Sequence, residues 1–122
     1  MTTAETETNE FVDLWYDILV PKFNKYKHVL VDGLTYHSEA ILPSLPIRPG
    51  DSVLDVGCGF GDTAIEFAKR VGPAGRVLGM DCCDAFMDYG RREAADAGLE
   101  NLTFINGDAL TYPFKPEYDF VF

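Results

Sequence analysis

The chain has 122 residues, 47% of them hydrophobic and 25% charged, the makeup of one globular domain that can build a core rather than of a disordered segment. Its net charge of -10 at pH 7 excludes the nucleic-acid backbone and anionic membranes as partners, because both would repel it. No run approaches the roughly 18 consecutive apolar residues of a membrane span. The Thr- and Glu-rich start lacks the basic and apolar regions of a secretory leader. Cys58, Cys82 and Cys83 fit neither a disulfide framework nor a zinc-site spacing. These readings predict a cytoplasmic protein without a metal centre.

The first fifty residues read as helices. Phe11, Leu14, Trp15, Ile18 and Leu19 recur at helical spacing with Asp13 and Asp17 opposite, and Pro21 interrupts or restarts the helix. A second helical stretch runs from about Tyr36 to Leu42, and Pro46, Pro49 and Gly50 mark the entry to a different pattern. Glu5, Glu7 and Glu10 read as a solvated tail. Trp15, Tyr16, Phe23 and Tyr26 read as core or lid packing.

From Asp51 onward the period changes. Val53 to Val56 is a short apolar run, as expected of a strand buried on both faces. Asp62 to Val71 is an amphipathic helix with Ala64, Phe67, Ala68 and Val71 on one stripe, stopped by Gly72 and Pro73. Arg76 to Met80 reads as a second strand. Asp84 is the expected N-cap of a helix through Ala97 with Phe86, Gly90, Ala94 and Ala97 buried and Gly98 at its end. Leu102 to Ile105 is a third strand, and Tyr118 to Phe122 a fourth. Strands alternating with helices over short links predict right-handed βαβ units and a parallel sheet. Ligands of such sheets bind beyond the carboxyl ends of the strands.

The chemistry-bearing residues fall at those ends. In Asp55-Val56-Gly57-Cys58-Gly59-Phe60-Gly61-Asp62, the glycines permit a tight turn and a close backbone approach, and the following helix directs free N–H groups at the ligand. Asp55 still lies inside the apolar strand, where a carboxylate is costly unless it meets a cation or several donors. A ligand carrying both a carboxylate and an ammonium answers this pattern, as the methionine part of S-adenosylmethionine does.

The stretch Val53 to Gly61 resembles motif I of class I S-adenosylmethionine-dependent methyltransferases. It is most similar to the small-molecule group that includes the ubiquinone and menaquinone biosynthesis enzymes, and the likeness runs from about Ile47 to Phe122. The resemblance implies a Rossmann-like α/β fold with a seven-stranded parallel sheet, of which four strands fit here, beneath an N-terminal helical cap spanning 1–46. The α/β domain spans 47–122 and is expected to lack its last strands, leaving the fourth strand as an exposed edge prone to self-association. By the same resemblance Gly57 and Gly59 line the methionine part and Asp81 takes the ribose diol. Cys82 flanks the adenine, and Asp108 with Ala109 contacts its edge. Gly61 and the backbone of Cys58 complete the loop. The implied reaction is methyl transfer to a small-molecule acceptor, with no dedicated catalytic residue assigned.

Two alternatives stand beside this reading: a cofactor-binding but inactive module, and an NAD(P)-dependent oxidoreductase. The dinucleotide fingerprint GxGxxG begun at Gly57 needs a third glycine where Asp62 stands. Asp81, 20 residues past Gly61, suits either cofactor, whereas Asp55 and Asp62 would repel a pyrophosphate. Asp108 also reads as a simple turn residue. Neither His28 nor His37 has partner spacing, and His37 is the better catalytic candidate of the two because an N-terminal helix can lie over the site.

Overall fold

In the computed structural model, which describes residues 10–122, a four-stranded parallel sheet has the order β3-β2-β1-β4. Its strands are β1 (Ser52–Val56), β2 (Arg76–Asp81), β3 (Leu102–Asn106) and β4 (Phe120–Val121). Glu5 and Glu7, expected in a solvated tail, lie outside the described residues, and Glu10 is exposed. The sheet steps from β1 outward to β3 and then returns to the other side of β1, so the order switches between β1 and β4. This is the parallel sheet expected from the alternating pattern, in the Rossmann-like α/β architecture that the resemblance implies.

β1 is buried from Ser52 to Asp55 and packs against α4, and Val53 has no exposed surface. Helix α4 (Asp62–Val71) buries the expected stripe of Ala64, Phe67, Ala68 and Val71 and adds Ile65. The Asn101 side-chain amide donates to the carbonyls of Ala68 and Gly72, a second donor for each beside the N–H groups of Gly72 and Gly75. Helix α5 (Asp84–Asp96) buries Phe86, Met87, Gly90 and Ala94, while Ala97 falls outside the helix and is exposed.

Asp84 does not cap α5. It is the first helical residue, Cys83 holds the cap position, and the Asp84 carboxylate accepts from Arg91 at 2.7 Å. The backbone N–H of Asp84 instead donates 2.8 Å to the hydroxyl of Tyr16. A residue 68 positions earlier in the chain thus serves the helix start, which no local reading of 84–87 can reveal.

The N-terminal segment is more helical than its periodicity predicts. It comprises α1 (Glu10–Leu14), a π-helical turn (Trp15–Leu19), α2 (Val20–Lys25) with Pro21 in its first turn, and α3 (Lys27–Ile41). Helix α3 begins well before Tyr36 and buries no residue fully, so most of it carries no core stripe from which to read it. Lys27 docks its start, with the ammonium 3.3 Å from the Tyr89 ring centre and 5.0 Å from that of Phe60. At the far end the Arg70 guanidinium donates to the carbonyls of Leu42 and Leu45.

β4 is shorter than the expected Tyr118–Phe122, but its pairing with β1 reaches further. Asp119 and Ser52 exchange bonds of 2.8 Å through the Asp119 backbone N–H and side chain. The Phe122 N–H donates 2.9 Å to Leu54. Val121 and Phe122 remain exposed at this edge.

Two glycine substitutions separate packing from helix propensity. A Cβ on Gly90 would lie 2.7 Å from the Phe60 carbonyl oxygen and 2.8 Å from the Phe104 ring, whereas one on Gly33 meets nothing within 4 Å. Gly90→Ala is therefore expected to destabilise by about 1–3 kcal/mol through overpacking, and Gly33→Ala to stabilise by about 0.5–1 kcal/mol. Urea unfolding of both variants checks this, and a gain at Gly90 would show that the close packing there is not limiting.

Candidate functional site

A cleft of about 610 Å³ opens where β1, β2 and β3 end, between the glycine loop and the N-terminal helices. Gly57, Cys58, Gly59 and Phe60 form its floor, with Met80, Asp81 and Cys82 from the end of β2 and Gly107, Asp108 and Ala109 from the end of β3. Phe11, Trp15, Phe23, Leu30, Val31 and Leu34 close it from the helical side. Strand ends in parallel sheets are where such sites form, because loops there meet without strands in the way.

The glycine loop is built for close approach. Gly57 and Gly59 have φ of +71° and +54°, in the left-handed region that favours glycine, and a Cβ on either would meet no protein atom within 4 Å. The loop is pinned from beneath, since the N–H groups of Gly57 and Cys58 donate 2.7 and 2.9 Å to the Met80 carbonyl. Asp81 ties it laterally, one carboxylate oxygen accepting from Gly59 N–H at 2.9 Å and the other from Cys83 N–H at 2.8 Å. A carboxylate has about four acceptor positions, so each oxygen retains capacity for a further donor.

Of the nine residues expected to bind a cofactor, Gly57, Cys58, Gly59, Asp81, Cys82, Asp108 and Ala109 line the cleft. Asp55 and Gly61 do not. Gly61 is buried beneath the floor, where a Cβ would lie 2.6 Å from the Phe104 ring, so packing between helix and sheet explains its identity. Asp55 is only 3% exposed, and its Oδ2 has no hydrogen-bond partner. Asp108 accepts 2.8 Å from Leu110 N–H, the turn role that competes with ligand contact. His37 is exposed on α3 and lines no part of the cleft.

The aromatic side of the cleft was legible only as packing. Trp15 stacks edge-on against Phe86 with ring centres 5.9 Å apart and tilts against Phe23 at 5.4 Å. The π-helical turn places Trp15 at the cleft and sends the adjacent Tyr16 to α5. π-turns are rare and concentrate at functional sites, but nothing in their composition announces them.

Electrostatically the cleft is one-sided. Its described lining carries Asp62, Asp81 and Asp108 and no Lys, Arg or His. Asp62 stands at the start of α4, the end where a phosphate would otherwise find its donors. Burial, with the Asp81 charge as a second cause, raises the Asp55 carboxyl from its ordinary 3.8 to about 7.

Residues 53–122 match the family described as a methyltransferase domain. The chain belongs to that family. A demethylmenaquinone methyltransferase of Staphylococcus aureus (strain JH9) is 35% identical over 82 residues, which is 66% of this chain and 33% of that protein. The chain thus spans about a third of the length of the curated relatives it matches. Among solved structures, a SAM-dependent methyltransferase from Aquifex aeolicus superposes with a TM-score of 0.62 at 27% identity, covering 68% of this chain and 45% of that one. Phosphoethanolamine N-methyltransferase 1 of Haemonchus contortus, in complex with phosphoethanolamine and S-adenosylhomocysteine, gives 0.58 at 27% identity, covering 66% and 16%.

The Asp55 shift has a definite sign. The folded protein binds this proton more tightly than the unfolded chain does, so stability falls as pH rises from about 4 through about 7. Asp55→Asn is expected to remove that slope, stabilising the fold above pH 7 by on the order of a few kcal/mol and much less near pH 4. Urea midpoints at about pH 5 and about pH 8 for both proteins measure it. An equal change at both values would assign the effect to packing instead.

Proposed function

We propose that this chain is the cofactor-binding part of an S-adenosylmethionine-dependent methyltransferase acting on a small molecule. The observation that carries the reading is a glycine-floored cleft whose described ionisable lining is entirely acidic. A dinucleotide brings a pyrophosphate to the helix start, where Asp62 would repel it. S-adenosylmethionine brings a sulfonium and an ammonium, both positive, to the same wall. The open space above Gly57 and Gly59 leaves room for its methionine part. The spare acceptor capacity of Asp81 suits a ribose diol, and Cys82, Asp108 and Ala109 lie beyond it for the adenine.

The residues fit the cofactor without a direct contact from Asp55. That side chain lies under the loop, where its unpartnered oxygen supports the negative potential of the floor once deprotonated. When bound, S-adenosylmethionine supplies an electrophilic methyl group for in-line displacement by a nucleophilic acceptor. The chain's own contribution is to hold and orient. The Asp81–Gly59 bond fixes the floor, and the aromatic wall of Trp15, Phe23 and Phe86 excludes water from the acceptor side. The three free cysteines and the acidic charge favour a cytoplasmic setting, and no helix among the described residues is long and apolar enough to cross a membrane. The open edge at Val121 and Phe122 favours self-association of this chain, which light scattering would report.

Calorimetric titration tests the cofactor reading. S-adenosylhomocysteine is expected to bind and NAD to give no heat, while tight NAD binding without a response to S-adenosylhomocysteine would overturn the assignment. Asp81→Ala is expected to weaken S-adenosylhomocysteine by about 1.5–3 kcal/mol, roughly ten- to a hundredfold or slightly more. It also frees the N–H groups of Gly59 and Cys83, so a modest loss of stability accompanies it. An unchanged dissociation constant would remove Asp81 from the site.

A further inference from the structure

Asp81, Cys82 and Cys83 bring one carboxylate oxygen and two thiol sulfurs within 4.8 Å of one another at the rim of the cleft. Cys82 lines the cleft, and Cys83 beside it is fully buried against the start of α5. Both thiols are free. Cys58, the third cysteine, is a separate floor residue outside this group.

We propose that Cys82 and Cys83 form a dithiol site for trivalent, hydroxide-bearing soft centres, of which arsenite and arylarsonous acids are the type, and that its occupant excludes the nucleoside from the cleft. The second part rests on the reading given under the proposed function, because it places the ribose on Asp81.

The chemistry of the pair selects this ligand class. Burial, reinforced by the neighbouring Cys82 and Asp81, pushes the Cys83 thiol up to about 12, so both disulfide exchange and thiolate capture of a divalent metal start from a disfavoured state. A trivalent arsenical avoids that cost, since it carries the base for each thiol proton. At each sulfur one As–S bond forms as one As–O bond breaks, and the thiol proton leaves with the departing hydroxide as water. Two thiols condense with one R–As(OH)2 to give R–As(S–Cys)2 and two waters. Arsenic stays trivalent and nothing is oxidised. The accessible Cys82 makes the first bond, and Cys83, within reach of the same centre, closes the chelate.

The experiment adds phenylarsine oxide, which hydrates to the arylarsonous acid, to the folded 122-residue chain. One arsenical per chain is expected by intact mass, with titratable thiols falling from three to one and recovering when ethanedithiol is added. Cys82→Ala and Cys83→Ala should each abolish the adduct, and Cys58→Ala should leave it unchanged. No adduct on the folded wild type, or an adduct that survives either Cys82→Ala or Cys83→Ala, would overturn the site. Saturating S-adenosylhomocysteine is expected to slow adduct formation at least about tenfold. Calorimetric binding of S-adenosylhomocysteine with an unchanged adduct rate would overturn the exclusion. Absence of any S-adenosylhomocysteine binding would instead overturn the cofactor reading, leaving the thiol result to stand or fall on the mass and alanine variants.

Discussion

One aromatic ring sets how closely the layers of this fold can approach. Phe104, in β3, fills the space that a Cβ would need at Gly61, Gly79 and Gly90, at would-be distances of 2.6, 2.8 and 2.8 Å. Those glycines belong to the entry of α4, the middle of β2 and the middle of α5. Around one ring, then, two helices and two strands meet without side chains between them. The glycine loop keeps its shape because the sheet and helices behind it cannot separate, and interiors packed this densely transmit small displacements. The third glycine of the motif belongs to this packing and not to the ligand surface.

The same ring explains which parts of the fold could be read from the chain. Helix α4 was legible in full because its inner stripe meets the sheet on one side and its outer residues meet water, leaving a clear period. The strands were legible as apolar runs, although β4 is shorter than the expected Tyr118–Phe122. Helix α3 was read at less than half its length. It packs over an open cleft and buries no residue completely, its Leu30, Val31 and Leu34 lining that cleft rather than a core. Gly90 appeared as one of several small buried residues, whereas its role depends on a phenylalanine 14 positions later in sequence.

The strand-end side of the cleft was legible because local sequence marks strand ends well, whereas its helical wall was not. Two kinds of information were not local. Tyr16 capping α5 and Lys27 lying on Phe60 and Tyr89 are contacts across the chain, and each joins the N-terminal helices to the half that carries the glycine loop. The depth of Asp55 was the other. A carboxylate in an apolar strand signals a functional position, but its sequence cannot say whether the side chain reaches the cleft or stays beneath it.

That depth separates Asp55 from the acids that line the cleft. Asp81, at the end of β2, is held by two backbone N–H groups, while Oδ2 of Asp55, inside β1, has none, so the two acids occupy unlike surroundings. The donors are spent on the acid that faces the cleft, and the acid below is left to burial, which favours its neutral form near neutral pH. With Asp62 at the start of α4, the helix end that would attract a phosphate is already paired with an anion of the protein's own. The sheet supplies the crevice and the glycines supply access, and three carboxylates with no cation among the described lining residues make its wall acidic.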